Sequence, residues 1–292
     1  MAPFIRHFRK TLWLVLEHDV LNTAKAAAYS GMLMLFPALV VLTTLLAQAP
    51  EGTTLVGEVR AAFEQFLPAD SMDLLQYSLH TRRILSAQLV LSGAGLSLFA
   101  ALGVMLSLME GFRRAYRLSR EEWGFWERRA RALLLIFIAL VPLALATLAI
   151  VFGRQIEAWM IDNARHELRY IVLLFWRMAR WALALVTSIT VLSALYHFGT
   201  KRKEHWSKVV PGAIASALGW FLATLAFGFY VTRIANYSMF YGPFGAGIAT
   251  LVWLYITSFS ALLGAELNGV LYRERQKQSS ATGQADSDSS GL

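Results

Sequence analysis

Residues 241–272 read YGPFGAGIATLVWLYITSFSALLGAELNGVLY, and this stretch decides the class of the chain. Tyr241-Gly242-Pro243-Phe244-Gly245 is a turn-forming cluster that cannot continue a helix. From about Ala246 to Val270 runs an apolar segment long enough to cross a bilayer, which takes ~20 residues. Its only charged side chain is Glu266. Thr257, Ala261, Ala265 and Gly269 recur every four residues, with Ser260, Gly264 and Asn268 beside them. In lipid, small residues let helices approach closely, because apolar side chains gain little by leaving an equally apolar solvent. The segment therefore predicts a transmembrane helix packed inside a bundle, with Ala261, Gly264 and Ala265 at the close contact.

The rest of the composition agrees. Apolar residues make up 57% of the 292 and charged residues 16%, too few to cover a soluble surface of this size. The net charge of +8 lies largely between apolar runs, where it sets topology and meets anionic headgroups; nucleic-acid binding is the weaker reading. There is no cysteine, which excludes disulfides, thiolate metal sites and thiol nucleophiles.

Five further spans are predicted upstream: 26–48 with Pro37 inside it, 86–108, 132–152 with Pro142 near its middle, 172–198, and 209–231. Residues 4–23 have the spacing of an amphipathic helix, so 1–25 is read as an interfacial segment lying in the headgroup layer. Ala47-Gln48-Ala49 resembles a signal-peptidase site, but the long preceding region and Pro50 argue for a retained anchor. Residues 50–84 carry more acid than base, with helical spacing up to Pro68. In the fifth span Gly212, Ser216, Gly219, Ala223 and Ala226 form a predicted close-packing ridge. The polar, Ser-rich tail 273–292 is expected to be disordered. The expected architecture is all-α: a polytopic membrane protein with six transmembrane helices in one domain, 26–272, and short amphipathic helices at the interfaces. Six spans put both termini on one side, and 18 of the 27 lysines and arginines fall there, which predicts cytoplasmic termini.

Two stretches resemble the YihY/BrkB type of bacterial inner-membrane protein, once labelled ribonuclease BN. One is Ala27-Ala28-Tyr29-Ser30 followed by Leu35-Phe36-Pro37; the other is Tyr241-Gly242, Gly245-Ala246, Leu251-Val252-Trp253-Leu254-Tyr255 and Gly264-Ala265-Glu266-Leu267-Asn268. The resemblance covers roughly residues 4–272. It implies a six-helix inner-membrane protein linked to serum resistance and virulence, with a role in envelope lipid export, and no settled biochemical activity.

The ribonuclease label finds little support in the residues. A metal-dependent nuclease needs clustered His, Asp or Glu. The six histidines (His7, His18, His80, His166, His197, His205) show no i, i+4 pair, and no phosphate-cradling Gly-Lys-Ser/Thr loop or Gly-x-Ser-x-Gly elbow is present. No enzyme activity, cofactor or metal is expected.

Three polar features remain. Glu266 is either a carboxylate tied to a helix end or a loop arginine such as Arg128, or a gating or proton-coupled group facing a cavity, since intramembrane acids are costly without water or a partner. Lys25 and Tyr29 begin the first span as anchors, with pairing to Glu266 as an added role. Arg177 and Arg180 share a face in the fourth span, and Arg154 and Arg233 end spans on the same side. They either snorkel and pair with nearby acids or form a site for a lipid phosphate, which guanidinium forks bind bidentately. Pro37, Pro142 and Gly242-Pro243 are the places where such a bundle could move. The favoured function is transport of an anionic lipid or amphiphile, with anionic phospholipid or lipopolysaccharide as partner. A scaffold docking envelope proteins through 50–84, with homo-oligomers allowed, is the alternative. A ribonuclease is the weakest reading.

Overall fold

The computed structural model describes residues 2–47, 87–119, 123–142, 169–201, 205–233 and 245–290. Every regular element among them is helical: α1 (Ala2–Glu17), α2 (Val20–Ala47), α3 (Ala87–Ala115), α4 (125–142), α5 (Arg169–Phe198), α6 (Val210–Arg233) and α7 (Gly245–Ser290), with a 3₁₀ turn at Trp206–Lys208 before α6. Four stretches are long and apolar enough to cross a membrane: Val20–Val41, Val90–Ala115, Val210–Val231 and Gly247–Ser280. That is two fewer than the six expected. The third expected span, 132–152, is described only to residue 142. The fourth keeps its apolar stretch to Ala182–Phe198, because arginines interrupt the first half of α5.

Two boundaries differ from expectation. Segment 1–25 is not one interfacial helix. α1 ends at Glu17, Asp19 takes a left-handed φ of 56°, and α2 starts at Val20. Aspartate tolerates that backbone because its short side chain bonds locally, and here Asn22 Nδ2 donates to Asp19 Oδ1 at 2.6 Å. The tail is not disordered through its length either: α7 runs on to Ser290. Residues such as Glu274, Arg275, Gln276 and Lys277 are good helix formers, and extending a packed helix needs no new nucleus. Gln276 donates to the Tyr272 hydroxyl at 2.7 Å and Ser280 to the Gln276 carbonyl at 3.0 Å along the extension.

α2 packs along α3, α7 runs between α2 and α6, α5 lies on α6, and α1 lies on the end of α7. The core gathers at one end of this bundle. Most buried side chains lie between Val20 and Ala28 in α2, from Ala100 in α3, from Val191 in α5, up to Ala217 in α6 and from Ser258 to Val270 in α7, with Thr44 buried near the other end of α2. Towards the far end large apolar side chains are exposed, among them Phe36, Leu91, Phe99, Phe175, Leu222 and Phe229. The packed end is the one that carries α1 and the α7 extension.

The α6–α7 contact shows why this end closes tightly. A Cβ on Gly264 would strike Ser216 Oγ, the Gly212 carbonyl and Tyr196 Oη; one on Gly212 would strike the Gly264 carbonyl and Asn268. Ala261 and Ala265 are buried beside Gly264. The predicted ridge on α6 holds at Gly212 and Ser216 but not beyond. Nothing lies within 4 Å of a Cβ on Gly219, and Ala223 is only half-buried. The contact stripe instead follows a four-residue step to Trp220, whose Nε1 donates to Thr257 Oγ1 at 3.1 Å. A Cβ on Gly219 would enter open space, so that residue lies off the α6–α7 contact. Pro37 sits within a continuous α2, and a Cβ on Gly93 of α3 would lie 3.6 Å from its carbonyl. Pro142 is the last described residue of α4; Gly242 and Pro243 fall outside the described residues.

Candidate functional site

Glu266 is fully buried in the packed end, on the part of α7 that faces α1, α2 and α3. The left-handed turn at Asp19 brings His18 against it, with His18 Nδ1 2.8 Å from Glu266 Oε1. Glu266 Oε2 is buried with no hydrogen-bond partner. Leaving a buried polar atom unmade costs about 1–3 kcal/mol, more when it is charged. An acid half satisfied in this way can exchange a proton with its imidazole partner or bind another donor. The partners expected for Glu266 are elsewhere. Lys25 is exposed and donates to Asn22 Oδ1 at 3.2 Å, and Tyr29 is exposed. Arg128 binds Glu110 at 3.2 Å.

Glu110, the only acid on α3, collects three arginines. Arg113 grips it with two bonds of 2.7 and 3.1 Å, Arg114 Nε donates at 3.2 Å, and Arg128 reaches it from α4. One carboxylate against three guanidiniums ties α4 to α3 and leaves the region positive. Arg114 also approaches Asp19 Oδ2 at 3.7 Å and the His18 carbonyl at 3.4 Å, which fixes the turn that presents His18.

Several other buried polar groups of this end are paired. Tyr196 Oη donates to the Ala261 carbonyl at 2.6 Å and lies 2.7 Å from Ser216 Oγ, which donates to the Ser260 carbonyl at 2.7 Å. Asn268 accepts from the Gly212 amide at 2.9 Å and donates to the Val209 carbonyl at 2.8 Å. The first amides of a helix lack partners within it, so Asn268 caps α6 from the neighbouring helix. Pro211, which has no amide proton, sits just before it in that first turn. These bonds cross-tie α5, α6 and α7 at the level of Glu266.

Beyond Glu266, Arg273 Nη1 donates to the Ala115 carbonyl at 2.8 Å, closing the end of α3. Arg273 borders a pocket of about 230 Å³ with Lys10, Leu14, Arg117, Glu274 and Lys277. A second, smaller pocket of about 160 Å³ lies by Trp123, Phe125, Arg129 and Lys201.

The arginines expected to form a far-side headgroup site are only partly described. Arg177 and Arg180 have backbones in α5 and Arg233 ends α6; their side chains fall outside the described residues, as does all of Arg154. Residues 50–84 also fall outside. No group of three or more metal-ligating side chains exists among the described residues. Sequence reasoning passed over His18, Glu110 and Tyr196. Glu110 was findable, since a lone acid three and four residues before arginines is a helical ion-pair pattern. His18 carried no signal, because its role depends on a turn.

The profile of the family described as Virulence factor BrkB matches residues 14–289, which takes in His18, Glu110 and Glu266. The chain belongs to this family. It is an integral membrane protein of the BrkB family, and its curated relatives fit that description. The ribonuclease-like protein YfkH of Bacillus subtilis is 29% identical over 89% of this chain and 92% of its own. A UPF0761 membrane protein of Chromohalobacter salexigens is 27% identical over 95% of this chain and 66% of its own length. A further UPF0761 membrane protein, from Nitrosospira multiformis, is 24% identical over 91% of this chain and 62% of its own. The chain thus spans less than two-thirds of these last two relatives. No solved structure matches it.

Proposed function

We propose that this BrkB-family protein is a carrier of an anionic lipid or amphiphile across the bacterial inner membrane, with both termini cytoplasmic, and that the described state is closed at the cytoplasmic end. The observation that carries this reading is the uneven packing along the helices. Near the termini α1, α2, α3, α5, α6 and α7 contribute buried side chains to the core that holds Glu266, whereas Phe36, Leu91, Phe99, Phe175, Leu222 and Phe229 in the far halves are exposed. A scaffold has no need of such asymmetry; a carrier caught with one end shut does. His18 and Glu266 act as the latch of the closed end, joining the α1–α2 turn to α7 at 2.8 Å. Opening it would separate α1 and α2 from α7, with Pro37 as a bending point.

Charge argues for an anionic cargo. α5 and α6 are antiparallel neighbours joined at Gly199–Val209. At a rise of ~1.5 Å per residue, the backbones of Arg177 and Arg233 lie about 32 and 35 Å from that junction, at matching depth in the half away from Glu266. With Arg180, and Arg154 beyond, they are proposed to receive the headgroup from the far side. The test is reconstitution: vesicles containing the protein should move a fluorescent anionic phospholipid between leaflets faster than a zwitterionic one, and Arg177→Lys/Arg180→Lys should slow it. Movement no faster than in protein-free vesicles would refute the carrier reading.

A further inference from the structure

The pocket bordered by Lys10, Leu14, Arg117, Arg273, Glu274 and Lys277 lies apart from the proposed cargo path, on the outer side of the latch. It is assembled from three elements: α1, the turn after α3 and the α7 extension. Four of its six residues are cationic and one is acidic. Glu274 balances Lys10 at 3.6 Å, and Arg117 reaches Glu17 at 3.0 Å. Arg273 spends one nitrogen on the Ala115 carbonyl, while its Nη2 is buried with no partner. No ion pair or hydrogen bond holds the Lys277 ammonium among the described residues. Four cations thus border the pocket against one acid, and Arg273 keeps one guanidinium nitrogen without a partner.

Arg117 adds an independent sign. α3 ends in a Schellman motif, with Leu118 N donating to the Arg113 carbonyl at 3.0 Å and Arg117 N to the Arg114 carbonyl at 2.9 Å. The residue at the left-handed position of this motif is usually glycine, yet here it is Arg117 at φ 54°. A cation stands where the backbone favours a residue with no side chain.

We infer that this pocket binds a phosphate-bearing group, held by Arg117, Arg273 and Lys277, and that the bound anion pins α1 to α7 above the latch. The volume of about 230 Å³ is below the range of about 300–1,000 Å³ typical of drug-sized ligands, so it fits a phosphoryl group and its immediate ester. Guanidinium forks bind phosphate oxygens bidentately, and lysine adds a mobile point charge. The phosphate could belong to a lipid headgroup or to a soluble phosphorylated compound. The inference does not depend on transport, since a protein that moves no lipid would still bind phosphate here.

The test uses the full chain and two probes. In detergent at constant ionic strength, inorganic phosphate should raise the melting temperature in a saturable way. In nanodiscs, phosphatidic acid in a phosphatidylcholine background should do the same. Arg117→Gly should keep the fold, because it supplies the residue the backbone prefers, and Lys277→Gln alters only an exposed side chain. Each should weaken the response roughly tenfold or more, the worth of one hydrogen bond to a charged group. Stabilisation by phosphatidic acid alone assigns the site to a lipid headgroup, and stabilisation by phosphate alone to a soluble ligand. No saturable effect of either probe, or an equal effect in the parent and both variants, overturns the inference.

Discussion

Gly264→Ala is the sharpest test of how the packed end is held. The new methyl would meet Ser216 Oγ, the Gly212 carbonyl and Tyr196 Oη at once. Two of these belong to α6 and one is backbone, so no side-chain rotation clears them all. α6 and α7 must part by about 1–2 Å, the shortfall from an ordinary 3.5–4.0 Å heavy-atom contact. Overpacking of this kind costs roughly 1–3 kcal/mol. The Tyr196–Ala261 and Ser216–Ser260 bonds span the same gap, and losing them adds about 1 kcal/mol each. The expected loss is thus about 3–5 kcal/mol. Gly219→Ala is the matched control, because its methyl enters open space. It should be neutral or stabilise by up to about 1 kcal/mol through helix propensity. Thermal unfolding in one detergent, read by tryptophan fluorescence, compares the two. If Gly264→Ala melts with the parent, or Gly219→Ala melts lower than Gly264→Ala, the described α6–α7 register is wrong.

Removing one member of the His18–Glu266 pair should cost more than removing both. His18→Ala strands a buried carboxylate, for which losses of about 3–5 kcal/mol are typical, while His18→Leu/Glu266→Met should recover much of it; a denaturation cycle measures the coupling. Asn268→Ala leaves the Gly212 amide without its cap and should lower stability by about 1–2 kcal/mol, with hydrogen exchange accelerated first in the opening turn of α6. Reporter fusions after Ser290 and at Ser119 should read from the same side of the membrane, since α1, the end of α3 and the α7 extension meet there; opposite readings would break this layout.

The class of the fold was legible because apolar length is a local property. The runs that became α2, α3, α6 and α7 stand out in the sequence, and the small residues around Gly264 marked a close contact. Gly219 looked equivalent to Gly212, but close approach belongs to a pair of helices, and the sequence alone does not say which face of α6 meets α7. The helical tail was missed because composition alone ignores that α7 is already nucleated. At the site, Glu266 was conspicuous as the charge within the last span. Its partner was not, since His18 reaches it only through the left-handed turn at Asp19, and loops holding lysine and arginine offered more obvious choices.

The unbroken α7 has a mechanical consequence. It is gripped at Gly264 and continues as one rod through Glu266 to the polar residues beyond Tyr272. From Gly264 to Ser280 is 16 residues, about 24 Å at ~1.5 Å per residue. A tilt of about 10° at that pivot would swing Ser280 by about 4 Å over this arm. Lys10 and Glu274 couple α1 to the same rod. A movement inside the bilayer too small to break a single helix contact would therefore be read outside it as a displacement of several ångströms, and a protein grasping the protruding end would gain leverage on the packed core within.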